Sequence, residues 1–151
     1  MTEILEPIVH TLELRCAPAT AFDAYADIGA WWHPSYTSCA ETLATVVIEP
    51  RLGGRVFERH RDGHEVGWGW VTAWTPPHRL AYASFLAQPP EHPSEIRVTF
   101  TPDVDGCRVR FEHGGWTEEN AALRPKFRDW PFLLDRFRAL AEDRHSGRSP
   151  A

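Results

Sequence analysis

The sequence is poor in cysteine and lacks the short motifs that hold metals or phosphates. Its three cysteines, Cys16, Cys39 and Cys107, are widely spaced and form no C-x-x-C pair. This pattern does not support a zinc ribbon, a thioredoxin motif or a disulfide framework. There is no nucleophile elbow, and Gly53-Gly54 lacks the flanking residues of a phosphate-binding loop. We expect no metal and no cofactor, and we expect Cys39 and Cys107 to pack as small apolar side chains.

Basic clusters and long apolar runs are also missing. Sixteen Lys and Arg oppose 21 Asp and Glu, for a net charge of −5, and no basic run is longer than two residues. Nucleic-acid binders usually show a basic stripe. The longest near-apolar run, Leu43 to Ile48, is far shorter than the roughly 20 residues of a membrane-spanning helix. The acidic N-terminus does not resemble a signal peptide. We expect a soluble, cytoplasmic protein with no nucleic-acid or membrane partner.

Aromatic residues, by contrast, are abundant. The chain has seven Trp, eight Phe and three Tyr, which together make 12% of its residues. Each of these side chains buries about 150–250 Å², and Trp also brings an N–H group that needs a partner. The excess favours a stacking pocket for a flat apolar ligand, because such pockets have aromatic walls and few polar groups. The alternative is that these rings simply form the core.

Hydrophobic periodicity predicts seven strands and a long last helix. The strands are predicted at 9–14, 42–49, 55–60, 64–74, 79–86, 96–101 and 108–113. The Asp105-Gly106 turn between the last two is typical of a β-hairpin. A helix at 19–27 and a short one at 30–34 are predicted after the first strand.

The C-terminal helix is predicted from one apolar stripe with helical spacing. Its members are Phe127, Trp130, Leu134, Phe137 and Ala141. Pro125 and Pro131 are expected to break or kink its first part. The order of elements predicts an α+β fold in a single domain, 1–145, followed by a tail at 146–151 that we expect to be disordered.

Four segments carry a resemblance to a known superfamily. They are PRLGGRVFE from Pro50, GWVTAWTPPHRL from Gly69, VTFTP from Val98 and EHGGW from Glu112. With the order of elements, they resemble the SRPBCC superfamily, the helix-grip proteins like START domains and the birch-pollen allergen. Within it the chain is similar to the branch named after the activator of the heat-shock-protein ATPase. The resemblance spans roughly Val9 to Leu140.

The resemblance implies a curved antiparallel sheet of about seven strands around the long C-terminal helix, with two short helices after the first strand. It also implies a deep hydrophobic cavity between sheet and helix. Members bind lipids, hormones or polyketides, some perform cyclisation chemistry, and others act as partners of stress proteins. Fold alone does not decide among these functions.

The candidate ligand-binding residues are aromatic side chains and two polar side chains on faces expected to point inward. The aromatic members come from the predicted inner strand faces, from the last helix and its entrance, and from the short helix that the resemblance places at the cavity mouth. The full set is Trp31, Trp32, Glu58, Trp68, Phe100, Phe111, His113, Trp116 and Trp130.

Glu58 and His113 are the candidates for chemistry, although no residue is assigned a catalytic role. Burial would raise the pKa of the Glu58 carboxyl, and a nearby imidazole would counter that shift. The pair could move protons as acid and base, orient a ligand carbonyl, or form a structural hydrogen bond. All three interpretations stay open on the sequence.

The strand at 64–74 leaves an ambiguity of facing. Trp68, Trp70 and Trp74 share one parity, and small residues share the other. If the Trp face points inward, the cavity is narrow and aromatic. If it points outward, the last helix packs closely on the small residues and three Trp form an exposed patch that would mark a partner surface. A bulge between Trp68 and Trp70 would split the set, and we expect Trp70 to lie outside.

His60 and His64 flank the turn at 61–63. They could approach each other across a tight hairpin, but no third residue has the spacing expected of a metal ligand. We expect a solvated turn there.

Three functions compete. The first is binding of a hydrophobic, aromatic or polycyclic small molecule in the cavity without chemistry. The second is a cyclase- or dehydratase-type enzyme that uses Glu58 and His113. The third is an interaction module for a chaperone ATPase, with an outer Trp patch as its contact. A homodimer is left open.

Overall fold

The computed structural model describes residues 5–146, so most of the tail predicted at 146–151 lies outside the described residues. Seven strands and two α-helices carry the fold. The strands are β1 (Ile8–Leu14), β2 (Leu43–Ile48), β3 (Arg55–His60), β4 (Glu65–Thr75), β5 (Arg79–Ser84), β6 (Ser94–Asp103) and β7 (Gly106–Gly114). The helices are α1 (Pro18–Ala26) and α2 (Trp130–His145), with 3₁₀ turns at Ile28–Ala30, Pro34–Tyr36 and Ala121–Lys126.

The strands form one antiparallel sheet in the order β1-β7-β6-β5-β4-β3-β2. Strands β2 to β7 follow each other as a meander, and β1 pairs with the far side of β7, with Leu12 opposite Val109. The sheet curls into a half-barrel around α2, so the α+β helix-grip fold predicted from the sequence is confirmed. Among the described residues, no helix is long and apolar enough to cross a membrane.

The core lies between the concave face of the sheet and α2. Strand alternation supplies one side, as in β6, where Ile96, Val98 and Phe100 are buried and the residues between them turn outward. Helix α2 supplies the other side with Leu134 and Phe137, among others. These are the period-two and period-3.6 patterns that the sequence shows.

The last helix starts later than its apolar stripe. Helix α2 begins at Trp130, with Pro131 in its first turn, where a proline costs no hydrogen bond. Pro125 lies in the preceding 3₁₀ turn, and Phe127 ends that turn. One residue of the apolar stripe, Phe127, therefore precedes the α-helix. The two prolines fix where α2 begins and do not kink a longer helix.

Strand β4 carries two bulges that decide where its tryptophans point. The register against β3 slips at Trp68, and the register against β5 slips between Val71 and Ala73. Each extra residue reverses the facing of the strand residues after it. As a result Trp68 is buried and Trp70 is 43% exposed, as expected for it, while Trp74 turns inward against Phe22. The alternative of a three-Trp outer patch is wrong.

Gly69 follows the first bulge and lies close to the backbone of β5. A Cβ at this position would meet the Ala83 carbonyl oxygen at 1.8 Å, so no other residue fits without moving β5. The glycine thus holds β4 and β5 close beside Trp68.

The cysteines divide differently from the expectation. Cys16 and Cys107 are buried, and burial raises the pKa of the Cys107 thiol to about 11. Cys39 is exposed, so its packing as a small apolar side chain is wrong. It follows Ser38 in the loop before β2, where hydrogen bonds with Thr42 lower the pKa of its thiol.

Candidate functional site

A cavity of about 470 Å³ opens between the concave sheet and the N-terminal half of α2. Three indoles, Trp32, Trp68 and Trp130, stand around it. Apolar groups from β5, β6 and α2 complete the wall. The other residues that line the cavity are Ser35, Tyr36, Thr37, Ser38, Glu58, Val66, Gly67, Tyr82, Ser84, Phe85, Leu86, Ala87, Ile96, His113, Lys126, Phe127, Asp129 and Leu133.

The structure brings five of the nine predicted ligand-binding residues to this cavity. These are Trp32, Glu58, Trp68, His113 and Trp130. They come from the segment after α1, from β3, β4 and β7, and from the first residue of α2. These five residues are far apart in the sequence and come together only in the folded protein.

The other four predicted residues are buried elsewhere. Trp31 packs on Tyr25 and Phe137, and Phe100 packs on Phe22. The Phe111 ring is buried with its centroid 4.5 Å from that of Trp130, and Trp116 lies beside His113. Neither Phe111 nor Trp116 lines the cavity, so all four serve as core.

Sequence reasoning missed other wall residues. Tyr82, Ser84 and Ile96 lie on the inner faces of β5 and β6, and Leu133 lies on α2 next to the stripe. The parity of β5 could have indicated Tyr82 and Ser84, but its inner face also reads as ordinary core. The loop residues at the mouth carry no periodic signal.

Glu58 is fully buried and accepts hydrogen bonds from three neighbouring residues. Trp68 Nε1 donates to Oε1 at 2.8 Å, and Ser38 donates to Oε2 through its Oγ at 2.5 Å and also through its amide. His60 Nε2 lies 2.6 Å from Oε2. Burial on its own raises the pKa of Glu58, but these hydrogen bonds outweigh burial and hold the pKa below its ordinary value. The group is therefore a carboxylate at neutral pH.

Ser38, Glu58 and His60 do not form a nucleophile with a base. The Ser38 Oγ lies 3.3 Å from His60 Nε2, but Glu58 Oε2 bonds the same nitrogen. The other ring nitrogen, Nδ1, faces Thr42 Oγ1 at 2.7 Å. In a catalytic triad the acid and the nucleophile bond opposite nitrogens of the imidazole. Here both approach Nε2, and the Ser38 hydroxyl donates to Glu58 itself, so these residues form a hydrogen-bonded cluster around the Glu58 carboxylate.

The expectation of a solvated turn is wrong for His60. Its side chain is buried and stacks on the His64 ring, with centroids 4.4 Å apart and planes 5° apart. His64 is exposed and bonds Asp62. No group of three or more His, Cys, Asp or Glu side chains fit to hold a metal occurs within residues 5–146.

His113 heads a second polar cluster. The Trp130 indole N–H donates to Nδ1 at 3.1 Å, so Nδ1 carries no hydrogen. The hydrogen therefore sits on Nε2, which donates to Ser94 Oγ at 2.7 Å. Burial, with a smaller contribution from Arg124, lowers the pKa of His113 to about 3. His113 is a neutral imidazole with both nitrogens engaged.

Glu58 and His113 thus share the cavity wall without bonding each other. The imidazole beside Glu58 belongs to His60, and the partners of His113 are Ser94 and Trp130. The raised pKa that burial alone would give Glu58 is absent, because its donors reverse the direction of the shift.

Two contacts frame the cavity mouth. On one side Tyr36 Oη donates to Asp129 Oδ2 at 2.9 Å and joins the Pro34–Tyr36 turn to the start of α2. On the other side Lys126 Nζ donates to the Ala87 carbonyl oxygen and joins the loop after β5 to the 3₁₀ turn before α2.

Solved structures with the same fold come from several bacteria. A crystal structure from Nitrosomonas europaea matches with a TM-score of 0.69 at 14% identity, covering 92% of this chain and 96% of that one. A crystal structure from Mycobacterium smegmatis matches at 0.66 and 21% identity, covering 99% and 96%. The solution structure of an AHSA1-like protein from Aeromonas hydrophila matches at 0.64 and 18% identity, covering 96% of each chain.

These identities establish the fold alone, and no curated protein matches the sequence. The family comparison is more specific. Residues 15–142 match the family described as activator of Hsp90 ATPase homolog 1-like protein, AHSA1. The match covers most of the chain, from the end of β1 to the last turns of α2, and includes every residue of the cavity wall. The chain belongs to the AHSA1-like family.

Proposed function

We propose that this protein binds a hydrophobic small molecule, aromatic or polycyclic, in the cavity and does no chemistry on it. The observation that carries the proposal is the cavity of about 470 Å³ with three indoles on its wall. Ligand sites typically measure about 300–1,000 Å³ and combine apolar walls with few polar groups. The family's fold commonly serves this purpose, which agrees with the proposal.

The chemistry of the wall suits a flat ligand. The Trp32 ring lies 4.9 Å from Trp68 and 5.8 Å from Trp130, centroid to centroid. Aromatic rings at such distances offer edges and faces on which another ring stacks. Burial of an aromatic guest here gains roughly 25 cal/mol for each Å² of apolar surface removed from water.

The same geometry argues against the cyclase or dehydratase alternative. Glu58 is held ionised, so it has no proton to give, and its lone pairs accept bonds from Ser38, Trp68 and His60. His113 is held neutral, and both of its nitrogens are occupied. A general acid must carry a transferable proton and a general base must reach the proton that it removes, and the hydrogen bonds of Glu58 and His113 do not favour them as such a pair.

The interaction-module alternative loses the patch on which it rested. Only Trp70 of the three β4 tryptophans lies on the outer face, beside Phe85. A single exposed ring of this kind is normal on a protein surface.

Native mass spectrometry of the freshly purified protein tests the proposal. We expect a non-covalent adduct of small-molecule mass on the wild type that disappears on denaturation. Leu133→Trp places an indole into the cavity and should abolish the adduct. Ala139→Trp adds the same side chain to the exposed face of α2 and should retain it. An adduct that persists in Leu133→Trp would place the bound molecule elsewhere and contradict the proposal.

A further inference from the structure

The polar hydrogens on the cavity wall are almost all committed to the protein itself. The three wall indoles donate to the Tyr36 carbonyl oxygen, to Glu58 and to His113. The Nε2 hydrogen of His113 goes to Ser94, and the Ser38 hydroxyl goes to Glu58. A ligand oxygen finds no donor among these groups unless an internal hydrogen bond breaks.

Tyr82 on β5 is an exception. Its hydroxyl oxygen lies 2.9 Å from that of Tyr25. Within residues 5–146, neither hydroxyl makes another hydrogen bond. One hydrogen bond uses one hydrogen, so one of the two hydroxyls keeps a hydrogen with no acceptor. Tyr25 is fully buried behind the wall, whereas Tyr82 lines the cavity.

The free-energy cost of a buried, unpaired donor decides which of the two hydroxyl hydrogens lacks an acceptor. A buried donor without an acceptor costs about 1–3 kcal/mol. If Tyr82 donated to Tyr25, the Tyr25 hydrogen would be stranded in the core. If Tyr25 donates to Tyr82, the Tyr82 hydrogen can turn into the cavity, where water or a ligand accepts it. Burial raises the pKa of both phenols, so both keep their hydrogens at neutral pH.

Ser84 is the second exception among the buried residues of the wall, whereas the hydroxyl of Ser35, which also lines the cavity, is exposed at the mouth. The Ser84 Oγ accepts a long hydrogen bond of 3.4 Å from the Leu86 amide, and no acceptor for its own hydroxyl hydrogen lies in the described part of the chain. Tyr82 and Ser84 are two residues apart on β5, so both side chains point to the concave face, from Cα atoms about 6.5–7 Å apart along the strand. Strand β5 therefore contributes two uncommitted hydroxyl donors to the cavity wall.

The charged groups at the cavity are committed as well. The Glu58 carboxylate accepts from three residues, Asp129 accepts from Tyr36, and Lys126 donates to Ala87 at the mouth. An ionic ligand group inside the cavity would have to displace a partner of Glu58, because Lys126 and Asp129, which keep further hydrogen-bonding capacity, lie exposed at the mouth. A neutral ligand oxygen needs only the hydroxyls of β5.

From this accounting we infer that the ligand is a neutral aromatic molecule with a carbonyl-type oxygen, which accepts a hydrogen bond from Tyr82, with Ser84 as the adjoining donor. The inference rests on the proposed function and specifies the ligand class for the same cavity. Tyr82 and Ser84 would set the ligand's orientation, because they fix one edge of it against β5.

The test uses fluorene and 9-fluorenone, flat probes of nearly equal shape that differ by one carbonyl group. Their dissociation constants are measured by tryptophan fluorescence on the wild type, on Tyr82→Phe, on Ser84→Ala and on the double variant. The quantity compared is the selectivity, the affinity for fluorenone divided by the affinity for fluorene. We expect the selectivity to fall about 2–10-fold in the double variant, mostly through Tyr82→Phe, while fluorene affinity stays near the wild-type value.

Two variants serve as controls. Thr99→Val removes an exposed hydroxyl from the outer face of β6, away from the cavity, so the selectivity should not change. Tyr25→Phe removes the partner of Tyr82 but leaves its hydrogen available, so the selectivity should persist or rise. Thermal melts check that each variant is folded. If Tyr82→Phe does not fold, the selectivity of Ser84→Ala, compared with that of the wild type, tests the inference.

The outcomes separate the two proposals. Binding of both probes with an unchanged selectivity in the double variant, or in Ser84→Ala where that variant decides, would overturn the role of the β5 hydroxyls and leave the cavity as an apolar binding site. Failure of the wild type to bind either probe would contradict the proposed function, and the inference would fall with it.

Discussion

The interior of this protein has a closed end and an open end, and both are aromatic. At the closed end Phe22, Tyr25, Trp31, Phe100 and Phe137 fill the space between α1, α2 and the sheet, with neighbouring ring centroids 5.1–5.7 Å apart. At the open end Trp32, Trp68 and Trp130 stand at similar distances but surround a cavity of about 470 Å³.

The two ends differ in what holds the rings. At the closed end the rings pack mainly against one another. At the open end Trp68 and Trp130 each donate to a buried polar side chain, Glu58 or His113, which is itself held by further partners. A side chain fixed by such a bond cannot turn into the space without leaving a buried group unsatisfied. The comparison teaches that buried polar anchors can keep an apolar cavity open.

The largest expected effect lies at the closed end. Phe137→Ala removes a fully buried ring that contacts Tyr25 and Trp31, so we expect a loss of about 3–5 kcal/mol in the free energy of unfolding. Urea unfolding monitored by circular dichroism measures it. A loss near 1 kcal/mol would mean that the closed end is loosely packed and would break the comparison.

Trp130→Ala tests the open end with a similar truncation. Because one side of this ring borders empty space, we expect it to destabilise less than Phe137→Ala, and below the roughly 3–5 kcal/mol of a fully packed ring. It should also weaken fluorene binding at least about tenfold, the equivalent of 1.4 kcal/mol. A stability loss equal to that of Phe137→Ala with unchanged fluorene binding would make Trp130 a core residue.

The pH dependence of stability tests the His113 anchor. Its pKa of about 3 in the folded protein is below the ordinary value of about 6.5, so the unfolded chain binds the proton first as pH falls. Stability from this group is complete above pH 6.5 and is lost as pH falls toward 3, with a slope of up to about 1.4 kcal/mol per pH unit.

Measurement between pH 6.5 and 4.5 isolates His113 from the carboxylates with lowered pKa values, such as Glu58, whose contributions are lost only at lower pH. His113→Gln should flatten the slope in this window. An equal slope in wild type and variant would show that His113 is not held neutral.

The smallest effects come from a matched pair on β4. Trp68→Phe removes one donor to the Glu58 carboxylate and should cost roughly 1–2 kcal/mol. Trp70→Phe changes an exposed ring two residues away and should stay within about 0.5 kcal/mol. Chemical denaturation of both variants measures the difference. Equal effects would contradict the facing that the bulge assigns to them.

Much of the fold follows from local pattern. The alternation in β6 and β7 and the Asp-Gly turn between them predict the hairpin, because side-chain facing in a strand depends only on parity. The bulges of β4 are register shifts against β3 and β5, and the close approach of Gly69 to Ala83 beside them is likewise a contact between strands that local pattern does not specify. The start of α2 depends on where two prolines can be accommodated, so the apolar stripe alone places it too early.

The site was harder to predict than the fold. Trp32, Glu58, Trp68, His113 and Trp130 were predicted by residue type and parity, and they do line the cavity, although their binding role stays a prediction. The partners of Glu58 and His113 were not predicted. Ser38 reaches Glu58 from the loop before β2, a contact that only the tertiary fold makes. Ser94 lies two residues from Ile96, which pairs with His113 across the β6–β7 hairpin, so the register of the predicted hairpin could have indicated this contact.

Xenon NMR of the wild type and two variants tests most directly whether the open end is a cavity for apolar guests. Xenon needs no knowledge of the natural ligand, because it binds empty apolar cavities of sufficient size. We expect a saturable xenon shift for the wild type and for Ala139→Trp, and its loss in Leu133→Trp, whose added indole fills the cavity. A wild type without a saturable shift, or a shift that survives in Leu133→Trp, would contradict the account.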